Sequence, residues 1–285
     1  MGRPPALLDG VLVAHEGAAP RGSFKERGAE VLAAACRRRG LDEVFLDSSG
    51  NAGIAVARAT RERGIACRVL VPETTPPGKL ARMEANGARV EVVPGGRAAT
   101  AEAARALADR LPYASHVVQP FFHAGVATLA WDLAEAAATE TGDAIERVLL
   151  PVGNGSLLLG LALGFDRLRA AGHRDRPPAF HAVQLSGYAS LAPGGPGPRS
   201  ESPPRAAGIA IERPPRREEM AAAVAAGGGD VTVVGEEEIA AARAELAAAG
   251  YPTDATGATA WAGLAKRPEL RRKGTVVILT SREED

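Results

Sequence analysis

Short β-branched runs alternate with helical patterns along most of this 285-residue chain. No other feature constrains the fold as strongly, because repeated βα units build parallel sheets with helices on their faces. The strand candidates are apolar enough to be buried on both faces and span residues 43–47, 68–72, 89–93, 116–119, 147–152, 180–185, 230–234 and 275–280. The sequence therefore predicts a doubly wound α/β fold.

Helical patterns follow most of these strands, over residues 24–39, 52–63, 78–86, 98–110, 125–141, 156–171, 216–226, 236–249 and 256–265. Several of them end at a glycine, the residue most common at a left-handed C-cap: Gly40, Gly64, Gly87, Gly172 and Gly250. One segment breaks the alternation, because residues 186–217 are crowded with Pro, Gly, Ser and Arg. A loop this long is usually functional or mobile, and a disordered insertion and a lid over a site are equally good interpretations, with residues 208–211 returning to the core.

Charge and composition exclude several functional classes. Lys and Arg number 34, as do Asp and Glu, so no net field favours nucleic acid or an anionic membrane. No stretch reaches the roughly eighteen uninterrupted apolar residues of a membrane helix, and the start has no long apolar run of a signal peptide. Cys36 and Cys67 lack metal-ligand spacing and fit a reducing compartment. We expect a soluble, cytoplasmic protein with no nucleic-acid or membrane partner.

Two short motifs indicate a carbonyl cofactor. Lys25 lies in the run GSFKERG just ahead of a helical pattern, and a turn of small hydroxyl and amide groups, SSGNAG, follows at residues 48–53. A lysine near such groups suits a cofactor held as a Schiff base. Taken alone, Lys25 is better interpreted as a solvated lysine at a helix start, and only the combination with other motifs favours the cofactor.

A third motif indicates an anion site. The apolar strand at 147–152 runs into Gly153, Asn154, Gly155 and Ser156, and a helix follows. Such a turn directs backbone N–H groups and a helix N-terminus at an anion. An ordinary strand-helix loop is an equally good interpretation of this segment alone. The turn has neither a Walker lysine nor the third glycine of the dinucleotide fingerprint, so a phosphate is expected without a nucleotide being required.

The histidines give no support to a metal site or a serine hydrolase. His15, His116, His123, His173 and His181 lack metal-ligand spacing, and Ser156 is outside a nucleophile elbow. We predict no metal. His123 is a candidate for substrate contact, although a surface position at a helix N-terminus explains it better, and Tyr188 and Arg205 are weaker candidates.

Together these motifs resemble the fold-type-II pyridoxal-phosphate enzymes, the tryptophan-synthase-β-like superfamily of threonine synthases, serine and threonine dehydratases and cysteine synthases. The resemblance runs from about Glu16 to Thr280, with segments in the family's order: GSFKERGA, SSGNAGIAVA, VLVPETTPPGKLARMEANGARVEVVPG, QPFFHAGVATLAWDLAEA, PVGNGSLLLG and TVVILT. GSFKERGA and SSGNAG are most similar to the threonine-synthase-like branch, since the dehydratase turn usually carries Asn-His.

The resemblance implies roles for single residues. Lys25 would form the Schiff base and then move protons at the substrate Cα, which requires a lowered pKa. Asn51 would bind the cofactor's 3′ oxygen, and the substrate carboxylate would be held by Ser48, Ser49, Gly50 and Asn51. The cofactor phosphate would be held by Gly153, Asn154, Gly155 and Ser156. Thr280 would face the pyridine nitrogen, where a neutral hydroxyl favours β-elimination or β-replacement over transamination.

The resemblance also implies two doubly wound parallel-sheet domains with the cofactor cleft between them. Residues 41–125 would form a smaller mobile domain, and residues 1–40 plus 126–285 a larger one carrying the lysine and the phosphate turn. The expected cofactor is pyridoxal 5′-phosphate. The expected substrate is a small amino acid with a hydroxyl or activated oxygen leaving group at Cβ or Cγ, and the expected assembly is a homodimer.

Some segments depart from the family pattern. Relatives usually carry a longer N-terminal arm with a strand before the lysine, and with only 24 residues ahead of Lys25 we expect this arm to be largely missing. Residues 254–258 read DATGA where relatives often have Glu-Pro-Ser/Thr-x-Ala, residues 123–125 read HAG where Glu-Gly is common, and Ser281 replaces a glycine. These departures leave open a non-catalytic relative that binds or regulates a partner. The glycines around residue 153 leave open a second alternative, a nucleotide-binding oxidoreductase on a similar α/β sheet.

Overall fold

The structure is a computed structural model that describes residues 5–18, 22–200 and 202–282. Its strands are, in chain order, β1 (Ala6–Leu8), β2 (Val11–His15), β3 (Glu43–Asp47), β4 (Ala66–Pro72), β5 (Ala88–Val93), β6 (Arg147–Pro151), β7 (Ala179–Leu185), β8 (Val231–Val234) and β9 (Thr275–Leu279). Its helices are α1 (Lys25–Arg38), α2 (Asn51–Arg61), α3 (Pro77–Ala85), α4 (Gly96–Leu107), α5 (Pro120–Val126), α6 (Thr128–Glu140), α7 (Ser156–Ala170), α8 (Arg217–Ala226), α9 (Glu236–Ala248) and α10 (Ala255–Lys266).

The chain divides into two compact units. The smaller unit is Lys25–Val126, and the larger unit combines Met1–Phe24 with Ala127–Asp285. The sequence places the first boundary of the smaller domain at residue 41 instead. The difference arises because α1 packs against α2 and α5, which groups it with the smaller unit.

The smaller unit contains a parallel sheet in the order β3-β4-β5. Phe45, Leu46 and Leu70 are at most 2% exposed and fill its core together with Met83 of α3. Tyr113 extends the sheet by a single parallel bridge to Phe45. The predicted strand at 116–119 is wrong, because the Ser115 hydroxyl accepts the Val117 N–H at 3.2 Å and turns the chain there.

The larger unit contains a sheet in the order β1-β2-β9-β6-β7-β8. Its strands pair in parallel, apart from the antiparallel hairpin of β1 and β2. Strands β2, β6 and β9 are buried along their whole length, as expected for parallel strands covered on both faces. Helix α10 packs on β6 and β9, and its Trp261 is fully buried in the core of this unit.

Two features of this unit differ from or extend the sequence prediction. The hairpin of β1 and β2 precedes α1, where the sequence predicts no strand. The segment 186–217 is not a detached insertion: Ala206 and Ile209 are 0% and 4% exposed in the core, which confirms the predicted return at 208–211. In the part of the chain that the structure describes, no helix has the length and apolar character needed to cross a bilayer.

Candidate active site

Lys25 is the first residue of α1 in the smaller unit. Burial lowers the pKa of its amine from 10.5 to about 7. An amine must be neutral to attack a carbonyl or accept a proton, and an ordinary lysine is almost fully charged at neutral pH. Lys25 therefore has a large neutral fraction near pH 7, which fits the amine that a carbonyl cofactor requires.

Close backbone contacts hold the helix that carries Lys25. A Cβ atom on Gly28, one turn further along α1, would come within 2.5 Å of the Phe122 ring. A Cβ atom on Gly125 of α5 would come within 2.1 Å of the Arg27 carbonyl oxygen. Only glycine permits α1 and α5 to approach this closely, so both glycines fix the position of the lysine's helix.

The turn Ser48–Asn51 links β3 to α2 in the same unit. The buried Ser48 hydroxyl accepts the N–H of Gly53 at 3.1 Å and the N–H of Gly50 at 3.4 Å. It therefore satisfies donors at the start of α2, and its own O–H can still donate to a ligand. Ser49, Gly50 and Asn51 are partly exposed at the N-terminus of α2, where an anion is favoured.

A partly buried acid, Asp47, directly precedes this turn. The Asp47 carboxylate, next to Ser48, accepts a hydrogen bond from the Tyr113 hydroxyl. The Tyr113 ring stacks on Phe45 with a centroid separation of 4.9 Å. Burial raises the pKa values of both Asp47 and Tyr113, and their hydrogen bond links β3 to the segment that precedes α5.

Two buried histidines belong to the same unit. His116 is 8% exposed and its ring meets the Phe122 ring edge-on at 6.0 Å. Burial, reinforced by the charges of Lys25, Arg97 and His123, keeps the pKa of His116 well below 6.5, so it is neutral. His123 is 6% exposed in α5, which overturns its interpretation as a surface residue. Sequence reasoning missed His116 because the segment was assigned to a strand.

The anion turn and Thr280 lie at the carboxyl ends of neighbouring strands in the larger unit's sheet. The turn Gly153–Ser156 connects β6 to α7, and Thr280 directly follows β9. These strands are parallel neighbours with Leu149 opposite Val277, so three residues later Val152 is level with Thr280. The structure thus brings together the predicted phosphate residues and the predicted ring-nitrogen residue, and Thr280 is 3% exposed.

Neither glycine of the turn could carry a side chain. Gly155 has a φ of +82°, and a Cβ atom there would lie 2.2 Å from the Met220 sulfur. A Cβ atom on Gly153 would lie 2.8 Å from the Cα of Ile209. The turn therefore presents backbone at the N-terminus of a 15-residue helix, whose first N–H groups have no partner within the helix. These residues fit a phosphate.

Gln184 is a further residue at this end of the sheet that sequence reasoning missed. Its side chain is 1% exposed in β7, and its Nε2 donates to the Val152 carbonyl oxygen at 3.2 Å. Its Oε1 accepts the N–H of Leu191 at 2.9 Å. The signal available in the sequence was its position near the carboxyl end of the run AFHAVQL, in which Gln184 and His181 are the two polar residues.

The remaining candidates have contacts of their own. Tyr188 packs under the Arg199 guanidinium at 5.3 Å, and the backbone N–H of Arg205 donates to Glu236 at 3.0 Å. In the DATGA segment at residues 254–258, which differs from the pattern expected of relatives, Asp254 caps α10 by accepting the N–H of Gly257 at 2.6 Å. The neighbouring Thr253 hydroxyl donates to the Ser281 carbonyl oxygen, which ties this segment to the end of β9.

Comparisons with known proteins agree with this geometry. The sequence matches the family described as "Pyridoxal-phosphate dependent enzyme" over residues 5–281. The L-serine dehydratase/L-threonine deaminase of Mus musculus is 35% identical over 161 residues, covering 55% of this chain and 47% of the mouse protein. The threonine synthase of Methanocaldococcus jannaschii is 32% identical over 177 residues, covering 61% and 43% respectively. This chain spans about half the length of the curated relatives it matches.

Solved structures extend the similarity to the whole fold. A threonine deaminase from T.th. superposes with a TM-score of 0.75 at 29% identity, covering 96% of this chain and 88% of that one. Threonine deaminase isoform 2 from Solanum lycopersicum has a TM-score of 0.79 at 22% identity, covering 100% and 85%, which supports the fold alone.

These findings confirm the predicted fold and the family's cofactor, pyridoxal phosphate. Dehydratases and threonine synthases match at similar identity, so the nearest branch stays a prediction. The chain belongs to the pyridoxal-phosphate-dependent enzyme family.

Proposed function

We propose that this protein catalyses β- or γ-elimination or replacement on a small amino acid that carries a hydroxyl or activated oxygen leaving group. The observation that carries the proposal is Lys25, an amine at the start of α1 whose burial lowers its pKa to about 7. Such an amine is able both to join an aldehyde carbon and to move a proton at neutral pH.

The proposed cofactor residues are Lys25, Asn51, the turn Gly153–Ser156 and Thr280. Lys25 would hold the aldehyde carbon, the N-terminus of α7 would bind the phosphate, Asn51 would bind the 3′ oxygen, and the Thr280 hydroxyl would face the ring nitrogen. Bound pyridoxal phosphate supplies an electron-accepting ring that stabilises negative charge at the Cα of the attached amino acid. The Thr280 hydroxyl carries no charge, so it does not hold a proton on the ring as a carboxylate would.

The proposed substrate residues begin at the N-terminus of α2. Ser49, Gly50 and Asn51 would bind the substrate carboxylate through side-chain and backbone donors, and the Ser48 hydroxyl would donate to it while accepting the Gly53 N–H. The Lys25 amine, once the substrate's amino group has taken its place, would take the Cα proton. The leaving group would depart from Cβ or Cγ with its bonding electrons, and a nucleophile or water would complete the reaction.

The first experiment tests the cofactor and its attachment. The purified protein is incubated with pyridoxal 5′-phosphate, its visible absorbance is recorded, and borohydride is added before peptide mapping. We expect a band that borohydride bleaches and a cofactor-bearing peptide that contains Lys25. Lys25→Met should abolish both signals and Lys79→Met should retain them, whereas a protein without the bleachable band would show the proposal to be wrong.

The second experiment addresses the substrate. Serine, threonine and their O-acylated and O-phosphorylated derivatives, together with O-phosphohomoserine, are added to the loaded protein. We expect at least one to shift the visible spectrum and to release a keto acid or the leaving group. A loaded protein that responds to none of them would instead support a role in binding or regulation without catalysis.

We further propose a cytoplasmic homodimer. The proposal is supported by the two buried free cysteines, Cys36 and Cys67, which fit a reducing compartment. The dimer is an expectation from the family. Light scattering after size-exclusion chromatography should give about twice the mass of the 29.3 kDa chain, and a mass of one chain would contradict the dimer.

A further inference from the structure

Gln184 occupies the position in β7 beside the last residue before the anion turn. Pro151 of β6 pairs with Val183 of β7, and the Val152 N–H donates to the Val183 carbonyl oxygen at 2.9 Å. The Gln184 amide then donates to the Val152 carbonyl oxygen at 3.2 Å. Both backbone groups of Val152 are therefore bonded to β7, and the conformational freedom of the two glycines begins immediately after a fixed residue.

The Gln184 amide also bonds to the segment that follows β7. Its Oε1 accepts the N–H of Leu191 at 2.9 Å, and its Nε2 lies 3.5 Å from the Ser190 hydroxyl. The Ser190 carbonyl oxygen accepts a hydrogen bond from the Arg217 side chain at 2.8 Å, and Arg217 is the first residue of α8.

Helix α8 completes the connection. Met220, one turn along α8, is fully buried and lies so close to Gly155 that a Cβ atom there would be 2.2 Å from its sulfur. Gln184 therefore contacts Val152, which directly precedes the turn. It is also linked through Ser190 and Arg217 to α8, the helix that packs against Gly155 in the turn.

We propose that Gln184 is a positioning residue that holds the Gly153–Ser156 turn in its phosphate-binding conformation, which rests on the function proposed for that turn. A neutral amide suits this place, because it supplies one donor and one acceptor without a negative charge near a bound phosphate. Its effect acts through the turn, so it should alter the affinity for a phosphate more than the affinity for the rest of a ligand.

The experiment compares pyridoxal 5′-phosphate with pyridoxal, which lacks the phosphate. Their dissociation constants are measured by absorbance for the unaltered protein, Gln184→Leu and Gln184→Glu. Thr275→Val is the matched control: Thr275 is also 1% exposed and accepts from Arg147 at 2.9 Å and donates to Leu270 at 2.8 Å, but it lies at the opposite end of the same sheet.

We expect the unaltered protein and Thr275→Val to share the same preference for the phosphorylated ligand. Gln184→Leu should weaken the binding of pyridoxal 5′-phosphate by about ten-fold, since a lost buried hydrogen bond costs on this order. The same variant should weaken the binding of pyridoxal by less than about two-fold. Gln184→Glu should weaken the binding of pyridoxal 5′-phosphate further, because its carboxylate repels the phosphate. An equal loss for both ligands would make Gln184 merely structural and overturn the inference, whereas an unaltered protein that binds neither ligand would overturn the proposed function instead.

Hydrogen exchange on the unaltered protein gives a test that needs no variant. Inorganic phosphate is the probe, and exchange is followed at the amides of residues 153–156 and at Leu191. The inference predicts that phosphate slows exchange at Leu191 together with the turn. Slowing confined to the turn would contradict the coupling through Gln184.

Discussion

The ring of Phe122 lies against the backbone of Gly28, where a Cβ atom would approach ring carbon Cδ1 to 2.5 Å. Gly28 is one turn from Lys25 in α1, and Phe122 also meets the buried His116. The helix that carries the proposed catalytic amine therefore packs directly against an aromatic ring. One added methyl group at Gly28 would have to displace either the helix or the ring.

Gly28→Ala should lower the free energy of unfolding by about 1–3 kcal/mol, because the added methyl overpacks a site with no space. Gly78→Ala in α3 is the matched control, since no atom lies within 4 Å of its added Cβ and its φ is not positive. That change should be neutral or stabilising by up to about 1 kcal/mol. Urea unfolding measures both, and Phe122→Leu should recover part of the Gly28→Ala loss; equal losses for the two glycines would contradict the contact.

Lys25 gives the protein without cofactor a specific pH dependence. Burial lowers its pKa from 10.5 to about 7, so between these values the unfolded chain holds a proton that the folded protein has released. The free energy of unfolding should rise with pH across this range, by at most about 1.4 kcal/mol per unit. Below pH 7 both states are protonated and the cost of burying the charge is fully present.

The measurement is urea unfolding at pH 7.0 and 8.5. The stability of the unaltered protein relative to Lys25→Met should increase between the two values, while Lys79→Met should follow the unaltered protein. Parallel behaviour of the unaltered protein and Lys25→Met would show that Lys25 is not desolvated in the folded state.

Ser48 and Ser49 should differ in their effect on stability although both belong to the proposed carboxylate site. Ser48→Ala removes the side-chain acceptor for the Gly53 and Gly50 N–H groups and should cost about 1 kcal/mol, the usual net contribution of a hydrogen bond. Ser49→Ala should stay within about 0.5 kcal/mol, because its hydroxyl does not accept either bond. Thermal or urea unfolding measures both variants, and equal effects would show that the hydrogen bonds of the Ser48 hydroxyl do not contribute to stability.

Gly155→Ala tests whether the anion turn tolerates a side chain. Gly155 and Gly172 share a left-handed φ, +82° and +77°, but a Cβ atom meets Met220 at Gly155 and nothing within 4 Å at Gly172. Both variants carry the same backbone strain, of about 1 kcal/mol. Gly155→Ala should additionally lose pyridoxal-phosphate binding measured by absorbance, Gly172→Ala should keep it, and Met220→Ala combined with Gly155→Ala should regain part of it.

Periodicity alone predicted most of the fold. The strand at 43–47 has the predicted limits, and β6 and β9 differ from theirs by one residue, because apolar runs bounded by turn residues are a strong local signal. The hairpin before α1 was missed because β1 has only three residues, although Asp9 and Gly10, with φ of +47° and +80°, form an Asp-Gly turn of the type that marks hairpins.

Some residues of the candidate site could be predicted from local sequence, and others could not. Lys25, the turn Ser48–Asn51 and the turn Gly153–Ser156 are contiguous motifs, so the sequence could indicate them. Gln184 acts on Val152, 32 residues away in the chain, and this relation exists only after β6 and β7 have paired. The neutral state of His116 depends in the same way on burial, which no local pattern encodes.

The hairpin of β1 and β2 also bears on handling of the protein. In the sheet order, β1 covers the outer edge of β2, whose residues VLVAH are all buried. A variant that starts after Gly10 would leave the backbone N–H and C=O groups along one side of an apolar strand open to pairing with another chain. Such a truncation is expected to aggregate during expression, so any shortened version intended for crystallisation should keep β1 and its turn to β2.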